Sequence, residues 1–201
     1  MPYRNGTYIA FHANGVTDPT ASDIKYYNLL KAWTQLGDDD FSFINSHDKT
    51  ASVRDSSLRE TLRARLVTRL KNSKHMLLIV GDTTREDTDW VPFEIRYAVD
   101  ECVIPIIAAY TVVDCPIYNP AALAAYWPAA LRARIDSGSA GVIHIPFRKE
   151  PIRDAIDQFS HNQFPVGGGL GIYSQDAYGN ADQFRVPLDS ATNTTRPALR
   201  A

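Results

Sequence analysis

Five short apolar runs, each followed by a stretch with helical periodicity, predict an α/β domain with a mostly parallel five-stranded sheet flanked by helices. The runs are nearly continuous in apolar residues, as strands covered on both faces are. The stretches between them are long enough for the crossover helices that parallel neighbours require. A chain of 201 residues, 44% hydrophobic and 22% charged, suits one globular domain with room for an appendage.

The first strand is Thr7-Tyr8-Ile9-Ala10-Phe11-His12, and a polar loop from Ala13 to Thr20 follows it. Ser22 can cap a helix reaching about Leu36, whose apolar residues cover more than one stripe and predict deep burial. Gly37 and three aspartates end that helix. Phe41-Ser42-Phe43-Ile44 reads as a second short strand. The loop from Asn45 to Arg54 is polar and long for an α/β connection, and such loops often carry function.

A second helix starts at Ser56 or Ser57, with Leu58, Leu62, Leu66 and Leu70 as its apolar stripe. Arg59, Arg63, Arg65, Arg69 and Lys71 line its other faces and are expected to be solvated. His75 to Val80 is the third strand. Val103 to Ala108 is the fourth, with Pro105 marking an irregularity. A helix from about Ala121 to Ser137, interrupted near Pro128, leads to the fifth strand, Gly141 to Pro146. Pro151 opens a last helix through about Phe159. From Phe164 the composition turns to Gly, Asn, Ser and Pro, which divides the chain into a domain over 1–163 and an irregular tail over 164–201. The run Gly167-Gly168-Gly169-Leu170-Gly171 follows no strand and opens no helix, so it is a weak phosphate loop.

The stretch from Gly81 to Val99 organises the rest. A buried strand ends, a short polar loop follows, and a helix begins with Trp90 and Glu94 four residues apart on one face. The carboxyl end of a sheet strand is the usual ligand position in an open α/β fold. Thr88 or Asp89 can cap this helix, and Pro92 fits its first turn. A capping carboxylate beside a core tryptophan explains the pair equally well from geometry alone. His12 ends the first strand at the same sheet edge, where it can meet a ligand or simply pack.

A net charge of -2 argues against a dedicated nucleic-acid binder. No apolar run approaches the ~20 residues of a membrane span. The first residues lack the apolar core of a signal peptide, so a cytoplasmic location is expected. Cys102 and Cys115, and the five histidines, show no metal-ligand spacing. Neither a nucleophile elbow nor a P-loop is present.

Four features, taken in order, resemble the bacterial TIR-like domains, in particular the TIR-like subunit of Thoeris antiphage defence systems. They are the opening strand Tyr8-Ile9-Ala10-Phe11-His12; Met76-Leu77-Leu78-Ile79-Val80 followed by Gly81 and a Thr-containing loop; Trp90-Val91-Pro92-Phe93-Glu94-Ile95, which matches that family's W-x-x-x-E; and Val103-Ile104-Pro105-Ile106-Ile107. The likeness covers roughly residues 7–160. The usual Ser-Tyr-x-x-x-Asp after the first strand is replaced here by Phe11-His12-Ala13-Asn14.

The resemblance implies a flavodoxin-like, TIR-like three-layer fold and cleavage of NAD⁺ at the nicotinamide–ribose bond. It implies Glu94 as the catalytic carboxylate, flanked by Trp90, with Phe11, His12, Asn14, Asn45, Asp82 and Thr83 as substrate-contacting residues. No metal and no cofactor is implied, since NAD⁺ is the substrate. The ribosyl group passes to water or to another atom of the same nucleotide, giving a cyclic ADP-ribose isomer. Partners would be NAD⁺ and an effector reached through that diffusible nucleotide, with no nucleic acid and no membrane; a homo-oligomer is compatible. A non-catalytic scaffold and a nucleoside deoxyribosyltransferase-like enzyme are the alternatives.

Overall fold

The computed structural model describes residues 4–13, 23–35, 43–44, 56–174 and 178. Five strands form one sheet: β1 (Gly6–Ala10), β2 (Phe43–Ile44), β3 (Ser73–Val80), β4 (Ile106–Tyr110) and β5 (Val142–Pro146). Their order is β2-β1-β3-β4-β5, and every pairing is parallel. The expected α/β class and strand count are therefore observed. α1 (Ile24–Gln35) and α5 (Lys149–Gln158) share a core with one face of the sheet. α2 (Ser56–Lys71), α3 (Trp90–Arg96) and α4 (Ala129–Asp136) share a core with the other.

Alternation along the strands builds both cores. Met76, Leu78 and Val80 of β3 face the α2–α3–α4 layer, with Tyr8, Leu66, Leu70, Val91 and Ile95. Leu77 and Ile79 face the α1–α5 layer, with Ile9, Phe11, Leu30, Ile152 and Ile156. β3 is buried along nearly all its length and is paired on both sides, which is why its sequence carries so few polar residues.

β4 begins three residues later than the apolar run suggests. Pro105 has no N–H to donate, and the ladder starts with the Ile106 amide on Gly141 O at 2.9 Å. Residues before it close a helix instead. α3 runs into a π-helical turn, Tyr97–Glu101, in which the Cys102 amide bonds Tyr97 O. Ile104 N–H then reaches Ala98 O at 3.1 Å, with Val103 between them at φ 50°. This is a left-handed helix closure occupied by valine, where glycine is the usual residue. The interrupted helix near Pro128 resolves into a 3₁₀ segment, Pro120–Tyr126, and α4.

The glycine-rich run packs against β5. Gly171 forms a parallel bridge with Ile143: its amide donates to Val142 O and its carbonyl accepts from His144 N–H, both at 3.0 Å. A Cβ on Gly171 would stand 2.5 Å from Val142 O, so a side chain is excluded by that close approach. Gly171 thus serves close backbone contact with β5. Among the described residues, no helix is long and apolar enough to cross a membrane.

Candidate functional site

α3 is started by Asp87, which precedes both Thr88 and Asp89, the positions expected to cap it. Asp87 Oδ1 accepts the amides of Asp89 and Trp90 at 2.8 and 3.0 Å, and Oδ2 accepts that of Val91 at 3.3 Å. Asp89 makes no side-chain cap bond. A 3₁₀ turn at Thr84–Glu86 brings Asp87 under the open end of the helix, a loop geometry not visible in local sequence. The Asp89 carboxylate pairs instead with Arg59 of α2.

Trp90 and Glu94 project from this start. Trp90 is half-buried, with the Arg59 guanidinium 5.5 Å from its ring, and Arg63 lies 4.3 Å from the Phe93 ring. Arg59 and Arg63 are exposed, as expected, and also join α2 to α3. Glu94 is sealed, with a relative exposure of 0%. Its Oε1 accepts a hydrogen bond of 2.8 Å from the phenol of Tyr8, also at 0%. Burial, and next the charge of Glu94, push the Tyr8 hydroxyl well above its ordinary pKa, so the proton stays on the phenol.

A second cluster lies at the carboxyl ends of β1 and β3. His12 Nδ1–H donates to Thr83 O at 2.8 Å. Asp23, at the start of α1 and 4% exposed, accepts from the Thr84 hydroxyl at 2.8 Å through Oδ2. That hydroxyl oxygen in turn accepts the Gly81 amide at 2.7 Å. Burial raises the Asp23 carboxyl above its usual range, opposed by the Thr84 bond and by His12. The loop from Gly81 to Asp89 is therefore tied to α1 and to the end of β1 before it delivers Trp90.

Of the other residues named from sequence, Thr83 is half-buried and Asp82 is exposed. Phe11 is on the other face of the sheet from Glu94, stacked on Tyr27 at 5.0 Å, because Ile9 and Phe11 alternate with Tyr8 and Ala10. Asn14 and Asn45 lie outside the described residues, as do the loops over 14–20 and 45–54 that contain them and the Ser22 cap. Tyr8, Asp23, Thr84 and Asp87 were not singled out from sequence. The signal for Tyr8 was its place two residues before Ala10, on the face that α3 covers.

His75 and His144 are packed, as expected. His75 Nδ1–H donates to Phe159 O and Nε2 accepts from Thr7 Oγ1, each at 2.7 Å. His144 Nε2–H donates to Gly169 O, and Nδ1 accepts from Tyr110, whose oxygen accepts the Trp127 indole N–H. Burial brings both imidazoles down to about 4, so they are neutral near pH 7.

A cavity of about 690 Å³ lies elsewhere, among Ile143, Asp154, Phe159, Val166 and Tyr173. It opens near the amino end of β5, whereas His12, Thr83 and the start of α3 mark the carboxyl edge. The candidate site's side-chain chemistry lies at that edge, away from the cavity.

A parallel sheet of this order, with a W-x-x-x-E glutamate on the helix after its central strand, defines a TIR-like α/β domain. The family described as Thoeris protein ThsB, TIR-like domain, matches residues 8–113, and the chain belongs to that family.

Proposed function

We propose that this chain cleaves NAD⁺ at the nicotinamide–ribose bond and forms a cyclic ADP-ribose-type nucleotide that activates a separate effector in antiphage defence. The observation that carries the reading is Glu94, the glutamate of W-x-x-x-E, held by Tyr8 in a chain of the ThsB family. As the C1′–N bond breaks, its electron pair goes to nicotinamide, which leaves neutral and needs no general acid. The ribose acquires oxocarbenium character, as in glycoside hydrolysis. A carboxylate in a water-poor setting stabilises that charge strongly.

The cation is then taken by water or by a nitrogen of the adenine of the same nucleotide, and the proton released goes to solvent. Cyclisation requires the adenine folded back and water kept out, which a closed pocket supplies. Glu94 is sealed in this conformation, so NAD⁺ reaches it only once the surface beside Trp90 opens. NAD⁺ is the substrate, and the reaction asks for no metal or other cofactor.

The burial of Glu94 also favours a second reading, a non-catalytic TIR-like module in which Tyr8 and Glu94 are structural. Incubating the pure protein with NAD⁺, and separately with deoxynucleosides and a free base, then resolving the products, tests both. Nicotinamide with a cyclic nucleotide supports the enzyme. Base exchange on the deoxynucleosides would mark a deoxyribosyltransferase. Neither product, together with concentration-dependent self-association, would favour the scaffold.

A further inference from the structure

We propose that Tyr8 is a positioning residue for Glu94, fixing its carboxylate in one orientation with its charge intact. The inference rests on the NAD⁺-cleaving reading above and goes beyond it, because Tyr8 lies outside the W-x-x-x-E motif. Tyr8 is set in β1 and paired on both sides, with Ile44 of β2 and with Met76 of β3. Its phenol enters the apolar layer of Leu66, Leu70, Met76 and Val91 and donates to Glu94 Oε1 at 2.8 Å. A phenylalanine would fill nearly the same volume without importing a hydroxyl into that layer. A buried phenol requires a partner, and the partner here is a carboxylate 86 residues away.

A phenol donating to a carboxylate forms a charge-assisted bond, roughly twice as strong as a neutral one. It stabilises the ionised form of Glu94 against the cost of burial. The charged groups acting on the Tyr8 phenol include Glu94 on α3 and Arg69 on α2. From β1 and β3 the neighbours on this face, Ala10, Met76 and Leu78, are neutral. The proton remains on Tyr8, so it orients the carboxylate and takes no part in proton transfer.

Tyr8→Phe removes the donor and keeps the ring. Expected are a fall in kcat for NAD⁺ of about tenfold or more with KM nearly unchanged, and an acid limb of the kcat/KM profile displaced to higher pH by about one unit. Carbon-13 NMR of the Glu94 carboxyl needs no turnover and should show the same upward displacement of its titration. Placing 3-fluorotyrosine at position 8 alone keeps the fold and sharpens the donor, so both readouts should move to lower pH. Parent-like kcat and acid limb in Tyr8→Phe, or an unmoved Glu94 titration in both variants, would overturn the proposal. If no variant releases nicotinamide yet the Glu94 titration moves as stated, the NAD⁺ reading fails while the role of Tyr8 stands.

Discussion

Gly81 and Asp23 are in direct opposition: a Cβ built on Gly81 would stand 2.1 Å from Asp23 Oδ1. Only glycine lets the carboxylate of α1 reach over the end of β3 to the Thr84 hydroxyl. Gly81→Ala should therefore cost about 1–3 kcal/mol, read as a lower urea midpoint. Asp23→Ala introduced into the same chain removes the obstructing atoms. The pair should then show a coupling of about 1 kcal/mol in a double-mutant cycle, and strict additivity would dissociate the two residues.

That relationship spans residues 23 and 81 and illustrates what the sequence could not display. β3 is legible because five apolar residues in a row, Met76 to Val80, have few other homes. Trp90 and Glu94 were legible because helical spacing is local. The Asp87 cap is not legible locally, because the turn at Thr84–Glu86 decides which carboxylate lies beneath the amides. Val103 and Ile104 look like the start of β4, yet they belong to a helix closure in which Cys102 bonds Tyr97 and Ile104 bonds Ala98. The partnership of Tyr8 with Glu94 depends on the strand order, which no local pattern encodes.

Val103 is a β-branched residue at φ 50° with 60% of its surface exposed. The left-handed region costs such a residue about 1–2 kcal/mol, and its exposure means little packing is lost on truncation. Part of the gain from glycine is returned through the greater freedom of the unfolded chain. Val103→Gly should still raise stability, by about 0.5–1 kcal/mol. A lower melting temperature for this variant would show that the valine packs usefully where it is.

Stability should fall in mild acid through His75 and His144. Both imidazoles titrate at about 4 in the folded state, against ~6.5 when unfolded. Between those values the unfolded chain binds protons that the native chain refuses, so stability is full above about 6.5 and declines as pH falls toward 4. Each buried imidazole accounts for about 3 kcal/mol over that window. Asp23, whose carboxyl is raised, works in the opposite sense just above its ordinary value of 3.8. Urea midpoints measured from pH 7 to pH 4 should drop steeply in the parent and less steeply in His144→Gln. Equal slopes would mean that His144 is protonated in the native state.

Glu94 is proposed to stabilise the ribosyl cation formed from NAD⁺. Glu94→Gln keeps the shape and an oxygen able to accept the Tyr8 hydrogen bond while removing the charge. The most direct measurement is nicotinamide release from NAD⁺ by parent and Glu94→Gln proteins with matched circular dichroism and melting curves. Release by the parent, reduced at least a hundredfold in the variant, is the predicted result. Release by Glu94→Gln at the rate of the parent would contradict that role.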